Sequence, residues 1–170
     1  VRVNRYVSLV GFIATIPAAN WLIGNVGTVC VPNGPCLVPV APGLMAPSGV
    51  LLIGLALVLR DAVHEQSGAR WAMGAIIVGA GLSALIAPPA LVVASAAAFL
   101  LSEAADMAVY TPLRKRHLIA AVFASGAVGS LVDSALFLFL AFGSLDYLTG
   151  QVVGKLWMTA LAAAYLAVRR

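Results

Sequence analysis

Charge is what this chain has least of. Only 9% of its 170 residues are Asp, Glu, Lys or Arg, against roughly 25% in an average soluble domain. The linkers 26–47, 88–89 and 143–147 contain no Lys or Arg at all. No charge run, Ser-rich tract or low-complexity tail interrupts the sequence, which excludes a nucleic-acid-binding arm and gives no sign of a second domain on a linker. Missing too is any G-x-x-x-x-G-K loop for nucleotide phosphates, any G-x-S-x-G elbow and any H-E-x-x-H metal pair. The two cysteines have no histidines near them, so a zinc ligand set is not available, and no metal or other cofactor is expected.

What is abundant is apolar surface. Hydrophobic residues make up 62% of the chain and the mean hydropathy is +1.05. An all-α integral membrane protein is expected, organised as a single six-helix transmembrane domain over 1–170. Runs long enough to cross a bilayer, about 17–25 residues each, fall at Tyr6–Asn25, Ser48–Glu65, Arg70–Ala87, Ala90–Tyr110, His117–Phe142 and Leu148–Val168. Arg2 and Arg5 precede the first run, Arg60 and Arg70 flank the second turn, Arg114-Lys115-Arg116 fill the fourth, and Arg169-Arg170 close the chain. Every Lys and Arg except Lys155 therefore falls on one side, and the positive-inside rule places both termini in the cytoplasm. A competing reading of the N-terminus is a cleaved signal peptide ending near Ala18-Ala19. Against it, the apolar run continues through Trp21-Leu22-Ile23.

The outer linker 26–47 is uncharged and rich in Pro and Gly. It contains Cys30 and Cys36 around a Pro-Asn-Gly-Pro turn, a spacing that lets the sulfurs meet on an oxidising face; a disulfide and two free thiols are the alternatives. The apolar stretch Leu37–Met45 is too short to span. It is read as a segment dipping back into the bundle, a lid over an outward-facing pocket.

Ionisable residues inside apolar helices are the strongest pointer to function. A charge at mid-bilayer costs at least ~2.5–3.5 kcal/mol, so such groups face a bundle interior and mark a substrate or ion path. Asp133 lies ~22 Å from the inner end of the fifth helix and Lys155 ~10 Å from the outer end of the sixth, a similar depth in a core about 30 Å thick. They are expected to pair, with Gln151 one turn before Lys155 on the same face. Glu103 and Asp106 share a face of the fourth helix, deeper toward the cytoplasm and near the level of Arg60, Asp61 and Glu65. Left unneutralised, two such carboxylates favour a shared proton or cation. The competing readings are a structural ion pair for Asp133 and Lys155 and a solvated helix end for Arg60, Asp61 and Glu65. An intramembrane hydrolase built on these acids with His64 or His117 lacks an evident nucleophile.

The segment Arg60-Asp61-Ala62-Val63-His64-Glu65-Gln66-Ser67-Gly68-Ala69-Arg70-Trp71-Ala72 resembles the signature after the second helix of the VUT family of queuosine precursor transporters. The resemblance continues in Ser102-Glu103-Ala104-Ala105-Asp106-Met107-Ala108-Val109-Tyr110, in Ser130-Leu131-Val132-Asp133-Ser134-Ala135-Leu136-Phe137, and in Gln151 and Lys155 of the last helix. This chain departs from the family pattern in its compact outer linker and in Arg60 before the aspartate. The resemblance implies a six-helix inner-membrane importer of 7-deazaguanine bases, 7-cyano-7-deazaguanine or its aminomethyl relative, on a bundle similar to the vitamin-binding components of ATP-driven importers. A guanine-like edge offers two adjacent donors beside a carbonyl. Glu103 or Asp106 suits the donors, Lys155 or Gln151 the carbonyl or nitrile, and Trp157 or Phe137 the ring face, with Asp133 orienting Lys155. Two partner arrangements stay open: a stand-alone carrier, as monomer or homo-oligomer, and a substrate-binding component that works with a separate ATPase.

Overall fold

The computed structural model describes residues 4–113 and 118–168. The basic cluster Arg114-Lys115-Arg116, His117, Arg2 and the final Arg169-Arg170 lie outside the described residues, as does the side chain of Asp61. Helices occupy each of the six apolar runs: α1 Arg5–Asn25, α2 Val50–Ser67, α3 Ala69–Ser83, α4 Pro89–Leu113, α5 Leu118–Phe142 and α6 Leu148–Val168. Among the described residues, three stretches are long and apolar enough to cross a membrane: Arg5–Asn25, Pro89–Leu113 and Ala124–Phe142. Helix α3, at 15 residues, reaches only ~22 Å. It stops at Ser83 rather than at Ala87, because Pro88 and Pro89 have no N–H to bond the Ala84 and Leu85 carbonyls, and Pro89 then sits at the first position of α4.

The connections are short where the backbone allows it. Gly68 alone separates α2 from α3, with φ +88°, a conformation that glycine adopts without steric cost, while its N–H caps the His64 carbonyl at 2.8 Å. At this end Arg5 lies 4.9 Å from the centroid of the Trp71 ring, tying the start of α1 to α3.

The opposite end corrects the all-α expectation. Leu37–Met45 is not a lone re-entrant stretch: residues 26–47 form a three-stranded antiparallel sheet, β1 Val29–Cys30, β2 Cys36–Ala41 and β3 Leu44–Pro47, in the order β1-β2-β3. A hairpin satisfies the backbone N–H and C=O groups of a short segment, which a lone strand among helices would leave unpaired. Gly43, at φ +72°, turns β2 into β3. Cys30 and Cys36 face each other in the β1/β2 register and are joined by a disulfide. Leu37, Ala46 and Pro47 are buried against the helices. The sheet presses closest on α6: a Cβ added at Gly150 would lie 2.0 Å from the Met45 carbonyl oxygen, so only glycine lets that strand approach.

Polarity is distributed as lipid requires. The outer surface carries exposed Val7, Val10, Ile77, Leu85, Val93, Leu101, Phe139 and Leu161, whereas Asn20, Ser83, Ser102, Ser134, Gln151 and Lys155 are buried inside. The most extensive packing is between α4 and α5. It runs along the small residues Ala94, Ala98 and Ser102, spaced four apart, where close approach takes the place of a hydrophobic drive.

Candidate functional site

A cavity of about 530 Å³ runs through the middle of the bundle and is lined by residues from all six helices. Its wall is mostly apolar, with Phe12, Ile16 and Ile23 from α1, Ile53 and Ala56 from α2, Ile76 from α3, Phe99 from α4 and Phe137 from α5. Against that wall stand, among the described residues, five charged side chains: Arg60, Glu103, Asp106, Asp133 and Lys155. This is the composition of a small-molecule site, apolar with a few convergent polar groups, and the volume lies in the usual range of roughly 300–1,000 Å³.

Among the described residues, two ion pairs organise the charges. Lys155 is 2% exposed and its Nζ donates to the Asp133 carboxylate and, at 2.7 Å, to the Ser134 hydroxyl. Asp133 and Ser134 are consecutive on α5, so one turn of that helix holds the ammonium from two sides. The second pair joins Arg60 of α2 to Glu103 of α4. Arg60 also lies 6.0 Å from the Phe99 ring centroid, one turn before Glu103. Glu103 and Asp106 are therefore not an unneutralised pair of like charges: the neighbouring guanidinium compensates Glu103.

Depth follows from the α4–α5 contact. A Cβ at Gly129 would lie 3.3 Å from the Asp106 Cβ and 3.6 Å from the Ser102 carbonyl oxygen, which sets Gly129 level with this part of α4. Asp133 is one turn further along α5, ~6 Å nearer the sheet. The Lys155–Asp133 pair thus sits toward the sheet end, with Arg60–Glu103 and Asp106 below it.

Other residues expected at the site are elsewhere. Gln151 is 1% exposed but does not line the cavity, and its Oε1 has no hydrogen-bond partner among the described residues. Ser134, not Gln151, joins Lys155. Trp157 faces outward at 59% exposure, in a shallow groove beside Pro39 and Val40, so among the described residues Phe12, Phe99 and Phe137 are the rings available inside. Glu65 and His64 are exposed near the end of α2 and do not line the cavity. Conversely, Asn20 and Ser102 line it unannounced. Asn20 donates from Nδ2 to the Ser83 hydroxyl at 2.7 Å, fixing α1 to α3. An amide inside the apolar run of α1 was the available signal.

The half of the chain that supplies four of the five charges can be compared with known proteins. A family model described as "Putative vitamin uptake transporter" matches residues 83–168, just over half of the chain. The chain belongs to this family. The VUT match covers α4, α5 and α6 with Glu103, Asp106, Asp133 and Lys155, while Arg60 and the 60–72 segment lie outside it. No curated protein and no solved structure gives a match. As a VUT member with apolar helices and an apolar exterior, the protein is a membrane protein of a transport family.

Proposed function

We propose that this chain is a six-helix importer of 7-deazaguanine bases in the inner (plasma) membrane, with both termini cytoplasmic and the disulfide-bonded sheet on the outer face. The observation that carries the reading is the central cavity, in which a nearly fully buried lysine, its carboxylate partner and the rings of Phe12, Phe99 and Phe137 line one space between apolar walls. A carboxylate beside an ammonium presents an acceptor next to a donor. That pattern complements the ring N–H, exocyclic amine and carbonyl of a guanine-like edge. Phe99 and Phe137 offer faces for the ring system, and both ion pairs exchange internal contacts for ligand contacts without leaving a charge bare. The basic residues Arg5 and Arg70, at the end away from the sheet, support a cytoplasmic assignment for that end.

The test is uptake of radiolabelled 7-cyano-7-deazaguanine into proteoliposomes containing only this chain. Entry above protein-free vesicles, lost in Lys155→Met, supports a stand-alone importer. Saturable binding without entry favours a substrate-binding component that needs an ATPase. The absence of both binding and entry would refute the deazaguanine reading.

A further inference from the structure

Among the described residues, the five charges lining the cavity do not balance. Arg60 compensates Glu103 and Lys155 compensates Asp133, which leaves Asp106. Among the described residues Asp106 has no hydrogen bond and no ion pair, so the described lining holds one more carboxylate than cations. An ionised carboxylate in an apolar cavity is costly unless a cation joins it. Asp106 is also well placed to receive one. It packs against Gly129, ~6 Å along α5 from Asp133, so a flat two-ring base whose edge meets Lys155 and Asp133 extends toward it.

We infer that Asp106 is a specificity-determining residue that selects a ligand carrying a primary ammonium over the otherwise similar neutral one. The inference rests on the deazaguanine reading above and deepens it. Within that class the aminomethyl base, protonated at neutral pH, completes the charge balance, whereas the nitrile leaves Asp106 bare. The selectivity resides in one carboxylate and not in the ion pairs, which any base of this class can use.

The test is isothermal titration of the detergent-solubilised full chain with 7-aminomethyl- and 7-cyano-7-deazaguanine at pH 7, repeated for Asp106→Asn and Asp106→Glu. The native protein is expected to bind the aminomethyl base at least about tenfold more tightly, a factor that corresponds to 1.4 kcal/mol. Asp106→Glu should keep that preference. Asp106→Asn should lose it, the ratio of the two affinities falling to within about twofold of one. Equal native affinities, or a preference that survives in Asp106→Asn, would overturn the inference and leave the deazaguanine reading intact, because both bases would still bind. Binding of neither base by the native protein overturns both. The native comparison does not depend on any variant folding.

Discussion

Replacing Asp133 by Asn removes one charge and almost no volume, so its effect isolates the electrostatic role of the pair. Lys155 is 2% exposed and has two acceptors, Asp133 and the Ser134 hydroxyl at 2.7 Å. Breaking a buried ion pair from one side costs roughly 3–5 kcal/mol, because the remaining charge stays desolvated without its counter-ion. The Asn carbonyl and Ser134 still accept from the ammonium, and a retained hydrogen bond returns about 1 kcal/mol. A loss of about 2–4 kcal/mol follows. Lys155→Met should cost less, since Asp133 is 24% exposed toward the cavity and can be hydrated. In the double variant Asp133→Asn/Lys155→Met no bare charge remains, and most of the loss should be recovered, giving a coupling of about 2 kcal/mol. Reversible unfolding in mixed micelles measures all four corners of this cycle. Additive single effects, or an Asp133→Asn protein as stable as the native one, would refute the claim that the pair is buried and mutually compensated.

Other consequences concern the cap and the helix contacts. Gly150→Ala forces a Cβ onto the Met45 carbonyl oxygen and should destabilise by about 1–3 kcal/mol, whereas Gly74→Ala, with nothing within 4 Å, should be neutral or slightly stabilising; melting in detergent separates them. Opening the Cys30–Cys36 disulfide with reductant, or by Cys30→Ser with Cys36→Ser, should cost roughly 2 kcal/mol of loop-closure entropy, read as a lower midpoint than the oxidised protein shows. Asn20→Leu leaves the buried Ser83 hydroxyl without its donor and should cost about 1–2 kcal/mol, with Ser83→Ala in the same background restoring part of it.

How much of this was legible without coordinates depended on the physical signal. Helix positions followed from apolar runs, and α6 matches its expected limits of Leu148–Val168, because lipid permits few alternatives for such a segment. The pairing of Asp133 with Lys155 was accessible from depth alone: both are rare intramembrane charges at one level of the bundle. Depth says nothing about rotation about a helix axis. Arg60 was therefore readable as near Glu103 in height but not as its partner, and Gln151, one turn from Lys155, turned out to lie outside the cavity wall. The sheet was missed because its strands are short, proline-rich and apolar on both faces, so Cys36–Ala41 shows no clear alternation. Phe99 carried no mark that separates a cavity ring from a lipid-facing one.

The central claim is that a 7-deazaguanine base binds inside this cavity. Equilibrium dialysis of labelled 7-cyano-7-deazaguanine against the purified protein, with unlabelled guanine and the Lys155→Met variant in parallel, tests it most directly. The account predicts saturable binding to the native protein that is lost in Lys155→Met. Absence of saturable binding up to about 1 mM ligand, where the free energy of association is only about −4 kcal/mol, would contradict it.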